Sequence, residues 1–390
     1  MIISDMMKKH YLLAYLNQYF LYSFVYIGKY DNYKKRKAHN ALDYLHIAKN
    51  RQSELIPVLL FFVTKMELLI SVIIVTYYLC ISIILCLFYR KRKVDGRILV
   101  LGTGLQNFNE LLSHTQYLPE QILIVDQPFN KTNVYNGFEH LKIWGRMNIF
   151  TLVYCYIRSL QLMFFQYFKY KKRDVFFRSY SSFEYFLCYH FFRELDESSI
   201  VLFTSTFDRW AYLFGHLKCT KVFVQHGMLE DGLAYVYSQK VGKVDYAYYL
   251  SEAQRVICQK YLFENDAKYS IMKFTRGFNS YNKLIKNGKK QVLIICNHLF
   301  YDEENQIIKH LSVLNRYNLY VKPHPTDNIS PYVQLKSVYD FSILDRQDFI
   351  EADFVISYKS TLAMEYEEKS IKVIYYDGIQ NVEDLIELIS

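Results

Sequence analysis

From Leu68 to Phe88 the chain reads LLISVIIVTYYLCISIILCLF, about 21 residues without a charge. At 1.5 Å per residue that length matches a bilayer core of about 30 Å. Buried core helices rarely stay uncharged on every face for so long, so the segment reads first as a spanning helix. Embedding in one leaflet is the alternative, and a plain core helix the third. It starts too far from the first residue, and lacks the small-residue cleavage site, to be a signal peptide. Arg90-Lys91-Arg92-Lys93 follows at once. By the positive-inside rule, everything beyond it is expected on the cytoplasmic side of an inner membrane. Upstream, Lys49, Arg51 and Lys65 are also basic, and Tyr11–Ile27 is apolar but broken by Asn17 and Gln18 and rich in Tyr. Tyr favours the headgroup level, so this stretch reads as an interfacial helix. Residues 1–95 are therefore expected to form a membrane-associated helical region.

The 390 residues leave room for two further domains, and 52% hydrophobic with 22% charged residues is a globular balance. The net charge of +9 is concentrated in basic runs, at Lys34–Lys37, Arg90–Lys93 and Lys169–Arg173, each beside an aromatic-rich apolar stretch. That placement suits an anionic lipid surface better than a nucleic-acid groove. There is no zinc-finger spacing, no RNP-like aromatic motif and no basic heptad helix, so no nucleic-acid partner is expected. Seven scattered cysteines without a Cys-x-x-Cys pair argue against a disulfide framework or a cysteine zinc site.

Beyond Lys93 short apolar runs alternate with longer amphipathic stretches, the pattern of an α/β chain. Arg97–Leu101 runs into Gly102-Thr103-Gly104, and Gln121–Val125 into Asp126. Further strands are expected at Ile200–Thr204, Lys221–Val224, Tyr246–Leu250 and Ile271–Phe274. Between them Ile149, Val153, Ile157, Leu160, Phe164 and Phe168 fall at helical spacing. This wide apolar arc, closed by Lys169–Arg173, suits a core helix first and membrane contact second. The polar, turn-rich stretch Gly277–Lys290 reads as a linker. After it, strands are expected at Gln291–Ile295, Leu319–Val321, Phe354–Ile356 and Lys372–Tyr375. The predicted organisation is two Rossmann-like domains, 96–285 and 286–390, with an interdomain cleft where ligands meet the carboxyl ends of strands.

Three polar clusters stand just beyond predicted strands. Gln225-His226-Gly227-Met228-Leu229-Glu230-Asp231-Gly232 carries adjacent carboxylates between glycines, suited to a general base, although Asp-Gly is also a common turn. In Lys322-Pro323-His324-Pro325, a histidine between prolines has little backbone freedom and suits donation to a phosphate. Ser357-Tyr358-Lys359-Ser360-Thr361 opens a helix, where hydroxyls and free N–H groups attract anions and where Ser is equally a plain cap.

Taken together, Glu230-Asp231-Gly232, His324-Pro325 and Ser360-Thr361 resemble, in that order, the signatures of bacterial sialyltransferases with the GT-B fold, over roughly residues 96–390. The resemblance implies an inverting, metal-independent transfer from a CMP-sugar, with no further cofactor. It implies Asp231 as the base on the acceptor hydroxyl, with Glu230 beside it, and His324 assisting the departing phosphate. Ser360 and Thr361 would bind that phosphate, and Asn297, Lys322 and Pro325 are assigned to the same nucleotide site. Gly102 and Gly104, a dinucleotide fingerprint without its third glycine, are expected to line the acceptor site rather than to bind NAD. The implied partners are a nucleotide-sugar donor, a glycan or lipid-linked glycan acceptor, and the membrane.

Gln225-His226-Gly227 is a departure from that pattern. A His-Gly followed by His-Pro and a Ser-rich helix start also looks like the CDP-glycerol phosphotransferases of teichoic-acid synthesis, where the first His would be the base. Kdo transferases of capsule synthesis share a CMP-activated acidic sugar and related motifs. A non-catalytic assembly subunit is the third class.

Overall fold

The structure is a computed structural model. It describes residues 66–89, 94, 97–102, 112, 115–129, 137–169, 175–204, 206, 209–229, 240–273, 277–285, 287–297, 300–324, 328–376 and 384. The expected interfacial helix at Tyr11–Ile27 lies outside them, as do Glu230, Asp231, Pro325 and Gly104. The chain divides into two compact units, Met1–Gln225 with Leu229–Met272, and His226–Met228 with Lys273–Ser390. The second unit thus begins before the turn-rich stretch read from the sequence as a linker.

The first unit is built on seven parallel strands, β1 Ile98–Gly102, β2 Ile122–Asp126, β3 Glu139–Lys142, β4 Ile200–Phe203, β5 Thr220–Val224, β6 Tyr246–Tyr249 and β7 Lys268–Ile271. Their order is β3-β2-β1-β4-β5-β6-β7. All five residues of β2 (ILIVD) are buried, as a parallel strand covered on both faces requires. The two edge strands are polar, EHLK and KYSI, which discourages pairing with another sheet. The last strand pairs from Lys268 to Ile271 and so ends where the sequence pattern starts it.

The second unit has five parallel strands, β8 Lys290–Ile295, β9 Tyr317–Lys322, β10 Ser342–Ile343, β11 Phe354–Ser357 and β12 Lys372–Tyr375, in the order β10-β9-β8-β11-β12. Each sheet therefore grows outward from its first strand in one direction and then reverses to the other side. That is the doubly wound, Rossmann-like plan, with a switch point between β1 and β4 in one sheet and between β8 and β11 in the other. The fold class is α/β, two such units in tandem as in the GT-B plan, with one apolar helix ahead of β1 among the described residues.

That helix, α1 (Glu67–Phe88), is long and apolar enough to cross a membrane. It packs on α2 (Ile149–Lys169) and α3 (Val175–Arg193), which also pack on each other. Ser71, Val75 and Ser82 are fully buried along one stripe, while Leu69, Ile73, Tyr77 and Ile84 are exposed on the opposite one. The small serines let neighbouring helices approach. Thr76 Oγ1 and Tyr156 Oη bond at 2.8 Å, mid-helix to mid-helix. The Tyr78 ring lies 4.3 Å from Phe129, which stacks on Phe183 of α3. The sequence sets residues 1–95 apart from the sheet; α1 instead joins the first unit's core.

Asn148 caps α2 by accepting the Thr151 N–H at 2.8 Å. Its buried face is Leu152, Cys155, Ser159, Leu162 and Met163. The arc picked out by sequence spacing faces the other way. Ile149, Val153, Ile157, Phe164 and Phe168 are exposed, because α2 has apolar residues on both sides and periodicity alone does not say which is covered.

Candidate functional site

The residues expected at a nucleotide stand at strand ends of the second sheet, and strand register brings those ends level. Lys322, the last residue of β9, is level with Ile295 of β8, which is level with Ser357 of β11. Three neighbouring strands, about 4.8 Å apart, thus end side by side at the switch point. Asn297 and His324 lie two residues beyond β8 and β9, and Ser360 lies three beyond β11. His324 is half-buried.

Beyond β11 the chain enters α8 (Thr361–Glu368). Ser360 is its cap, with extended backbone and Oγ accepting the Ala363 N–H at 3.1 Å. Its oxygen also lies 3.2 Å from Ser357 Oγ, which in turn bonds the Tyr358 carbonyl at 2.6 Å. Thr361 is the first helical residue and is half-buried. The helix start presents hydroxyls and backbone N–H groups at the positive end of its dipole.

Two buried carboxylates missed by the sequence reading brace the second unit, one at the turn after β8 and one at the segment after β10. Glu304, in α6 (Tyr301–Val313), is fully buried. It accepts the Asn297 N–H at 2.6 Å and the hydroxyls of Tyr376 and Tyr332 at 2.7 Å each, which fixes the turn after β8. Burial pushes its carboxyl above the ordinary value, against the opposing pull of those three donors. Asp348 accepts from Lys283 Nζ at 2.6 Å, Ser280 Oγ at 2.9 Å and the Asp345 N–H at 2.8 Å. Burial alone would raise its carboxyl, but these donors together hold it below the usual range.

Lys322 is bonded within its own unit. Its ammonium is buried and donates to the carbonyls of Asp345, Arg346 and Asp348 at 2.9, 2.9 and 2.6 Å. Lys322 thereby clamps the segment beside β9, and its effect on a phosphate would run through that segment.

The loop after β5 is pinned by a carboxamide pair. Gln254, in α5 (Glu252–Tyr261), takes a hydrogen bond from Gln225 Nε2 at 2.6 Å and from the Leu229 N–H at 2.8 Å, and returns one to the Leu229 carbonyl at 3.0 Å. Gln225 Oε1 accepts the Leu250 N–H at 3.2 Å. Both ends of His226-Gly227-Met228 are therefore fixed, and His226 is exposed between them. In the first sheet, Gly102 closes β1 level with Asp126. Asp126 is buried, with Lys142 Nζ at 2.5 Å and His140 Nδ1 at 2.8 Å, so the edge nearest Gly102 carries a charge cluster that the sequence reading did not name.

These observations define the chain as a tandem of doubly wound α/β units whose second sheet gathers His324, Asn297 and the Ser360–Thr361 helix start at its switch point. No family model matches the chain. No curated protein matches it. Among solved structures, the wall teichoic acid polymerase TagF is similar over 83% of this chain and 80% of its own, at 10% identity and a TM-score of 0.39. A second structure of TagF covers 73% and 70% at 11% identity and a TM-score of 0.36. TarM covers 53% and 50% at 13% identity and a TM-score of 0.33. Such distant likenesses do not carry the fold, which rests on strand order and register.

Proposed function

We propose that this chain is an inverting, metal-independent glycosyltransferase that moves an acidic sugar of the sialic acid or Kdo type from a CMP-sugar to a surface-glycan acceptor. What supports the reading is the register of β9, β8 and β11, which delivers His324, Asn297 and Ser360–Thr361 to one sheet edge, where an α/β fold binds nucleotide phosphate. In this reading His324, its backbone limited by Pro323 and Pro325, donates to the departing phosphate as its charge grows. The hydroxyls of Ser360 and Thr361 and the start of α8 hold that phosphate. Asp231, beside Glu230, takes the acceptor proton, and Gly102 and Gly104 line the acceptor side. The work is placed on the cytoplasmic face of an inner membrane, where lipid-linked acceptors are accessible.

One observation favours a second reading, a CDP-polyol phosphotransferase with His226 as base. His226 is exposed in a loop whose two ends are bonded to Gln254. The test is to offer the purified full chain CMP-sialic acid, CMP-Kdo and CDP-glycerol and to follow release of CMP. Turnover of a CMP-sugar is expected. Turnover of CDP-glycerol alone would replace the first reading by the second, and turnover of none by a well-folded chain would contradict both.

A further inference from the structure

We infer that α1 and α2 together form a flat face that lies in one leaflet of an anionic membrane, so that α1 rests in the plane of the interface instead of crossing the bilayer. The two helices sit side by side, joined at their middles by Thr76 and Tyr156, and both turn their packed faces to α3. Their outer faces hold most of the exposed large apolar side chains among the described residues, with Leu87 72%, Phe88 78%, Phe150 88% and Phe168 71% exposed. At 1.5 Å per residue each helix is about 30 Å long, and a run of exposed apolar side chains over that length is the kind of surface that marks a membrane or partner contact.

Spanning is disfavoured by what α1 is attached to. Its packed stripe is bound along its length to α2 and α3, and α3 carries Glu184, in an ion pair with Arg209 at 2.5 Å, together with His190 and Arg193. Carrying α1 through the hydrocarbon would drag these groups with it, at a cost that an in-plane pose avoids. Arg158, the one charge within α2 before Lys169, lies over the Tyr154 ring and bonds Gln161 at 3.0 Å, a pose suited to the headgroup level.

Charge selects the occupant. α1 is followed in sequence by Arg90-Lys91-Arg92-Lys93, and α2 ends on Lys169 with Lys171-Lys172-Arg173 just beyond. Two apolar helices that are each followed in sequence by a basic cluster suit a leaflet with anionic headgroups.

The test places one fluorescent label at a time on the full chain, at Ile73→Cys, native Cys80 and Leu87→Cys in α1 and at Phe150→Cys and Phe168→Cys in α2, with the other accessible cysteines changed to Ser. Vesicles carry nitroxide quenchers at shallow or deep acyl positions. All five labels are expected to be quenched most by the shallow probe. Phosphatidylglycerol in phosphatidylcholine vesicles should raise binding about tenfold or more. The combined change Phe150→Ser, Ile157→Ser and Phe168→Ser should lower binding about tenfold while leaving the fold intact, since all three side chains are exposed. A profile deep at 80 and shallow at 73 and 87 would overturn the proposal, as would unquenched α2 labels. Binding indifferent to the three serines, or a stable dimer that ignores vesicles, would overturn it equally.

Discussion

Gln225 and Gln254 meet side chain to side chain at 2.6 Å in the core of the first unit, and Gln254 also carries both backbone groups of Leu229. Gln254→Leu keeps most of the volume and strands all three partners without water. The expected loss is about 3 kcal/mol of stability, read from the denaturation midpoint, with a larger fractional loss of turnover at temperatures where the variant is still folded. An unchanged midpoint with unchanged turnover would show that the loop around His226 does not depend on this pair.

The helix layer should respond to acid through His190. Burial, aided by the Arg193 charge, lowers its value from 6.5 to about 4, and its ring lies edge-on to Tyr154 of α2, 5.3 Å away. Between those two values the unfolded chain binds the proton more readily, so stability rises with pH across the window and is lost as pH falls from 6.5 towards 4. The effect is on the order of 1–3 kcal/mol. Urea midpoints measured across this window should fall with acid in the wild type and flatten in His190→Phe.

The central strands were legible because each is an apolar run buried on both faces. Strands β3 and β10 were missed, and β7 misplaced, because edge and short strands carry no such run; Glu139 and Lys142 pair only because β2 lies beside them. That Lys322–His324 and Ser357–Thr361 stand at strand ends was legible from the apolar runs before them, whereas the residues that brace these turns were not, since their partners are distant in sequence, as with Glu304 and Tyr376. A signal for Glu304 was present. It stands in helical register with Ile307, Ile308 and Leu311, and a carboxylate on an apolar face invites the question of what it binds. The orientation of α2 had no such signal, being apolar on both sides.

Lys322 and His324 should separate structural from phosphate roles. With its ammonium shared among three carbonyls, Lys322→Met is expected to cost about 2–4 kcal/mol in stability. Nucleotide affinity, measured at a temperature where the variant is folded, should fall less than in His324→Ala. The reverse order would return Lys322 to direct phosphate contact.

The two enzyme readings part at the base. Asp231→Asn removes basicity at nearly constant size, so turnover should fall by about 10²–10⁴ with donor affinity little changed, and His226→Asn should matter much less. Steady-state rates with a CMP-sugar decide it. Loss in His226→Asn with activity retained in Asp231→Asn would move the mechanism to attack on phosphorus.

The most direct test of a cytidine-nucleotide site at the end of the second sheet is calorimetric titration of CMP into the wild type and into His324→Ala. Saturable binding to the wild type is predicted, weakened about tenfold or more in the variant, the size of one charge-assisted hydrogen bond. A folded wild type that does not bind CMP, or equal affinity in both proteins, would contradict the account.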